Sequence, residues 1–112
     1  MRYNALNRNR DFQIIYKRGK SQVAPDVVLY VRKKKYGPTR VGITASKKIG
    51  NAVQRNRARR VIRHALYVVL PPEIGPYDLV FVARGRTLQR KSTQLEGSIR
   101  RLLEAAGLGA VL

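Results

Sequence analysis

Between Lys47 and Arg63 the chain carries Lys47, Lys48, Arg55, Arg57, Arg59, Arg60 and Arg63, with neither Asp nor Glu among them. A guanidinium is a planar fork of N–H donors that fits two phosphate oxygens, so arginines at this density point to phosphodiester binding. A solvated helix face gains stability by alternating opposite charges at i, i+4. The arginines from Arg55 to Arg63 have no such partners and repel one another, a cost that makes sense where phosphates supply the anions. Phe12, Tyr16 and Tyr30 form a second set. Rings in a basic chain can stack on unpaired bases, at ~1–3 kcal/mol each. Phe12 and Tyr16 also stand at helical spacing, and spacing alone favours a place in the core.

Groups for independent catalysis are sparse. The six carboxylates, Asp11, Asp26, Glu73, Asp78, Glu96 and Glu104, are scattered and lack the clustering of a two-metal nuclease. His64 is the only histidine and has no triad partner nearby in sequence; a surface or packing role fits it better. The chain has no Cys, which removes disulfides, thiolate zinc sites and a Cys nucleophile. Gly107-Leu108-Gly109 is followed by no helix and is not a phosphate loop.

The 112 residues suit one domain over 1–112, and 44% hydrophobic content can build a modest core. The formal net charge is +18. Residues 1–63 hold eighteen Lys and Arg against Asp11 and Asp26, or +16, whereas residues 64–112 carry only +2. One strongly basic face and a nucleic-acid partner are expected. The start Met1-Arg2-Tyr3-Asn4-Ala5 has no apolar run of a secretory leader. The longest apolar stretch, Ala65 to Leu70, is far short of the ~20 residues of a membrane span, so a cytoplasmic protein is expected.

The elements that must position these residues follow from periodicity. Phe12, Ile15 and Tyr16 mark a short helix over Arg8–Arg18, with Gly19 as its C′ residue. Val27–Val31 reads as a strand, Lys33–Pro38 as an exposed loop or hairpin end, and Val41–Ala45 as a second strand led in by Arg40. An exposed strand at Ser21–Val23 is a further reading. Asn51 caps a long helix running to about Leu70, where Pro71-Pro72 stops it. At ~100° per residue, Ala58, Val61, Ile62, Ala65 and Val69 fall on one stripe. Arg55, Asn56, Arg59, Arg60 and Arg63 fall on another side, with Arg57 between the two. Tyr77–Ala83 is a strand, Thr93–Glu96 a capping box, and Leu95, Ile99, Leu102, Leu103 and Ala106 the stripe of a last helix ended by Gly107. The order is that of a mixed α/β sandwich.

Arg40-Val41-Gly42-Ile43, then Ser46 to Val53, then Arg55-Asn56-Arg57-Ala58-Arg59-Arg60 and Arg63, resembles the signature of the bacterial ribonuclease P protein family. The Arg-Asn-Arg core gives that signature its name, the RNR motif. Asp11-Phe12, Tyr16, Gly19-Lys20 and Tyr77–Val80 are similar as well, and the resemblance covers nearly all of residues 8–106. It implies an α+β fold, a small α/β sandwich resembling ribosomal protein S5 domain 2, with three helices and a mixed sheet holding a left-handed βαβ crossover.

The resemblance further implies the small subunit of a ribonucleoprotein that removes the 5′ leader from precursor tRNA. Its catalytic groups would lie on the RNA, which holds Mg2+. By match to the motif, Lys47, Lys48, Asn51, Arg55, Asn56, Arg57, Arg59, Arg60 and Arg63 would bind the catalytic RNA. Phe12, Tyr16, Val28 and Tyr30 would line a cleft for the single-stranded leader, which moves Phe12 and Tyr16 from core to cleft wall. Arg59 stands where the family usually has Lys, and Gly109–Leu112 matches no part of the pattern. Two other classes are open on charge alone: a ribosomal RNA-binding protein and a peripheral protein of anionic membranes.

Overall fold

Continuous apolar, β-branched and aromatic runs make Val27–Lys33 and Tyr77–Ala83 the two longest strands, and they pair antiparallel at the centre of a single sheet. The computed structural model describes residues 4–112. Arg2 and the first three residues of the segment read for a leader lie outside the described residues. In chain order the elements are β1 (Asn4–Ala5), α1 (Asn9–Arg18), β2 (Lys20–Val23), β3 (Val27–Lys33), β4 (Arg40–Thr44), α2 (Ala52–Val69), β5 (Tyr77–Ala83) and α3 (Ser92–Ala105). Short 3-10 turns occupy Lys47–Ile49, Gly85–Gln89 and Gly109–Val111. The sheet order is β1-β4-β5-β3-β2; β1, β4 and β5 are parallel, while β3 and β2 run antiparallel to their neighbours. This is the α+β sandwich with a mixed sheet and three helices, and β4-α2-β5 is its parallel crossover.

Strand residues alternate between faces, and the two faces are covered unequally. Val27, Leu29 and Val31 of β3, Val41 of β4, and Leu79, Phe81 and Ala83 of β5 meet α2 and α3 in the main core. The opposite face carries Val28, Tyr30, Val80 and Val82, and it is covered by the ten residues of α1, anchored by the buried Ile15, together with Leu6 from the segment before α1. Ten residues of helix span ~15 Å, too little to cover five strands. Val23 at the β2 edge is left 64% exposed.

Several boundaries differ from the sequence reading for local reasons. Gly19 ends α1 with φ −77°, so it is not a left-handed cap. Glycine is needed because a Cβ there would lie 2.6 Å from the Ile15 carbonyl oxygen and 2.9 Å from that of Val31. Of the two readings for Lys33–Pro38, the exposed loop holds and the hairpin end does not, since β5 lies between β3 and β4. It is tied to the turn after α2 instead: the Thr39 N–H donates to Glu73 at 3.1 Å, and Ile74 N–H donates to the buried Thr39 Oγ1 at 2.9 Å. α3 begins at Ser92, ahead of the expected Thr93–Glu96 box, because the Gln94 side chain accepts from Lys91 N–H at 2.9 Å. In α2 the buried stripe takes Leu66 in full and Val61 only in part.

The expected ends of α2 and α3 are present. Asn51 Oδ1 accepts from Gln54 N–H and Gln54 Oε1 accepts from Asn51 N–H, both at 2.9 Å, closing a reciprocal cap. At the end of α3, Gly107 takes φ +85° while Leu108 N–H reaches the Leu103 carbonyl at 2.8 Å. That arrangement tucks Leu108 into the core.

Candidate nucleic-acid interface

The site begins with how α2 is launched. Leaving β4 at Thr44, the chain makes one 3-10 turn that exposes Lys47 and Lys48. Gly50 follows with φ +144°, and a Cβ on it would sit 1.9 Å from Gln54 Oε1. The capping amide therefore needs glycine at this position. The helix then presents its cations around the cylinder in two groups. Arg55, Arg59 and Arg63, at i, i+4 and i+8, are half-buried along a flank. Asn56, Arg57 and Arg60 are exposed on the outward ridge. Arg57, which the wheel places between the stripes, belongs with Arg60 on the solvent side, so the arginines span about 200° of the helix.

Leu66 explains the flank. It shares the azimuth of Arg55 and Arg59 about three and two turns further along and is buried there, so these two arginines run along the edge of the packed surface. Asn56 Oδ1 accepts a hydrogen bond from Arg59. Among the described residues, the ion pairs involve Arg32, Lys34, Arg40 and Arg90 with Asp11, Asp26 and Asp78; none includes an arginine of α2. The face is cationic, and among the described residues its guanidinium groups pair with no carboxylate.

The residues expected to line a cleft lie on the other side of the sheet. Phe12 rests over Gly42, whose missing Cβ would come within 2.5 Å of the ring. Tyr16 meets Tyr30 edge-on with centroids 4.9 Å apart and stands 6.4 Å from Phe12. Its hydroxyl is 3.4 Å from Thr44 Oγ1. Val28, paired with Val82 across β3 and β5, continues the half-buried floor beside these rings. All four expected residues, Phe12, Tyr16, Val28 and Tyr30, thus share one open face. Sequence reasoning missed Gly42, Thr44 and Val82, whose face depends on strand register. Thr44 is three residues before Lys47, so the cleft and the basic turn meet at the carboxyl end of β4.

The carboxylates do other work. Asp78 is fully buried; its Oδ1 and Oδ2 accept from Arg40 at 2.9 and 2.8 Å, and Lys34 Nζ is 2.9 Å from Oδ1. Burial by itself would raise its pKa, but hydrogen bonds and charges of Arg40 and Lys34 outweigh it and hold the carboxyl below the usual range. The Arg40 pKa is raised in turn, chiefly by its hydrogen bond to Asp78. Glu73 is lowered by the Thr39 hydroxyl and the amides of Gly75 and Thr39. Asp26 Oδ2 accepts from Ser98 at 2.8 Å. Among the described residues no three His, Cys, Asp or Glu side chains come together. No helix of the described residues is long and apolar enough to cross a membrane.

Comparison with known proteins matches residues 1–107 to the Ribonuclease P family model. The ribonuclease P protein component of Clostridium botulinum (strain 657 / Type Ba4) is 36% identical over 109 residues, covering 96% of this chain and 98% of that protein. Among solved structures, the Staphylococcus aureus RNase P protein superposes with a TM-score of 0.79 at 34% identity, over 93% of this chain and 95% of that one. The Thermotoga maritima RNase P protein gives a TM-score of 0.74 at 27% identity, over 91% and 96%.

Proposed function

The chain belongs to the ribonuclease P protein family, whose members are protein components of a ribonucleoprotein endonuclease, and we propose that it assists cleavage of the 5′ leader from precursor tRNA without supplying catalytic groups. The observation that carries this reading is the unpaired arginine face of α2. It is a phosphate-binding surface built on a rigid helix, and the family's RNA is the polyanion that matches it.

Two contacts divide the work. Lys47, Lys48, Asn51, Arg55, Asn56, Arg57, Arg59, Arg60 and Arg63 hold the catalytic RNA, neutralising phosphates so that a second polyanion can approach. Phe12, Tyr16, Val28 and Tyr30 hold the unpaired leader by stacking and apolar contact, which needs no base sequence. Precursor tRNA then binds better than mature tRNA, which has no leader. Magnesium belongs to the RNA subunit in this reading, because Asp11, Asp26, Glu73 and Asp78 are engaged in ion pairs and hydrogen bonds within the protein. Protein cations replace part of the ionic screening, so the assembled enzyme needs less magnesium than the RNA alone.

The test is cleavage of a 5′-extended precursor tRNA at low magnesium with a bacterial ribonuclease P RNA, this protein, or both. Activity that requires the RNA and rises sharply with the protein is expected. Cleavage by the protein alone would overturn the assignment of chemistry to the RNA. Equal affinity of the assembled complex for precursor and mature tRNA would overturn the leader cleft.

A further inference from the structure

At the end of the sheet away from the α2 N-terminus, a second basic region lies outside both surfaces described above. Arg18, at the last position of α1, and Lys20, at the first of β2, face Arg32 and Lys33 across a pocket of about 430 Å³ walled by Tyr77 and Ala106. A neighbouring hollow of about 450 Å³ shares Arg32 and Lys33 and is closed by Lys35 and Tyr36. No carboxylate lines either one. Tyr36 is 85% exposed, the most open large apolar side chain described.

The segment bearing these groups is fixed at its base. Lys34 N–H donates to the Pro76 carbonyl at 2.7 Å, and Lys34 Nζ donates to the Pro38 carbonyl at 2.9 Å while pairing with Asp78. Gly37 turns the chain with φ +100°. Lys34 is thus spent on the fold, whereas Lys33, Lys35 and Tyr36 are held outward. Arg32 has only a distant partner, Asp78 at 3.9 Å, and Asp78 is already satisfied by Arg40.

We propose that the Arg18–Lys20–Arg32–Lys33 pocket and Tyr36 form a second contact for single-stranded RNA, with a backbone phosphate in the pocket and a base stacked on the Tyr36 ring. The chemistry selects this occupant. A phosphate satisfies the cations, and an exposed ring among cations gains from a base's π-face, which a lipid headgroup or polyphosphate does not offer. The site lies beyond the leader cleft, at the opposite end of β3 from Val28: Lys20, Lys33 and Tyr77 point to the α3 side of the sheet, and Arg32 reaches round from the Tyr30 face. It does not depend on the assignment of Phe12 and Tyr16.

The experiment measures binding of a fluorescein-labelled dodecauridylate to the full chain carrying Tyr16→Ala, across a salt series. Tyr36→Ala is expected to weaken binding about tenfold, the size of one lost stacking contact, and Tyr36→Phe to restore it. Lys20→Ala with Lys33→Ala is expected to flatten the slope of log affinity against log salt by about 1.4, two contacts at ~0.7 each. These side chains lie at the surface, so the variants fold. Binding unaffected by Tyr36→Ala, or weakened equally for inorganic polyphosphate, would overturn the proposal in favour of charge alone. Loss of binding to phosphatidylserine vesicles in Tyr36→Ala, with RNA binding intact, would overturn it in favour of a membrane surface.

Discussion

At Asp78 three cations converge on one buried carboxylate, and the charge pattern near residues 32–40 becomes intelligible from it. Arg40 and Lys34 serve the fold, which separates them from the arginines proposed to serve RNA. Because the native pKa of Asp78 is held below its unfolded value of ~3.9, its contribution is fully present above about pH 4. That contribution is lost as pH falls through the depressed native value. Asp78→Asn is expected to destabilise the protein by about 2–3 kcal/mol at neutral pH, the lower end for a broken buried pair because Arg40 and Lys34 keep some solvent. Urea denaturation at pH 7 and pH 3 checks this, with the difference from wild type shrinking at the lower pH. At the proposed interfaces, Arg60→Ala is expected to weaken binding of the catalytic RNA with little change in melting temperature, since Arg60 is exposed. Tyr16→Ala is expected to weaken precursor binding about tenfold and to leave mature tRNA unchanged. Side-by-side filter binding of the two tRNAs separates these outcomes.

Among the elements, α2 and α1 were legible to different degrees. Asn51, the proline pair and the apolar stripe located α2 almost to the residue, because caps and breakers act on the local backbone. Gln54, the other half of the cap, could have been found from its position three residues after Asn51. Asn51→Ala is expected to cost about 1 kcal/mol in stability, read by thermal denaturation without RNA. For α1, spacing placed Phe12, Ile15 and Tyr16 on one face, and all three do turn toward the sheet, yet only Ile15 is buried. What leaves Phe12 and Tyr16 half-open is the width of the sheet beneath a short helix, a property of the partner surface. Gly42 belongs to this pairing. Gly42→Ala is expected to destabilise by about 1–3 kcal/mol and to displace the Phe12 ring, visible as weaker leader binding along with a lower melting temperature.

For the whole molecule, charge sets the conditions under which it works. A net charge of +18 on 112 residues repels itself, and the folded state gathers the α2 cations onto one helix. Anions that bind the native state should stabilise it by mass action. Sulfate at tens of millimolar is expected to raise the melting temperature more than chloride at equal ionic strength; an indifferent melting temperature would count against anion sites on the native protein. Binding to the catalytic RNA is expected to be steep in salt. With six to ten phosphate contacts, affinity falls about 10³–10⁵-fold between roughly 50 and 200 mM.

The amino-acid sequence alone determined the chemistry available to this protein: arginines without counter-ions, no thiol, carboxylates too scattered to cluster, and local stops that delimit α2, β5 and the end of α3. These are matters of residue type and short-range periodicity, which a chain carries before it folds. Tertiary structure alone decided which faces stay open. The pairing of β5 between β3 and β4 sets the register that brings Val28, Val82 and Thr44 beside Tyr16 and Tyr30. It also decides between the two readings of Lys33–Pro38, making it a braced exposed loop that displays Tyr36 rather than a hairpin end. Register joins residues dozens of positions apart, and it is fixed by burial of both sheet faces at once, a condition that no local pattern records.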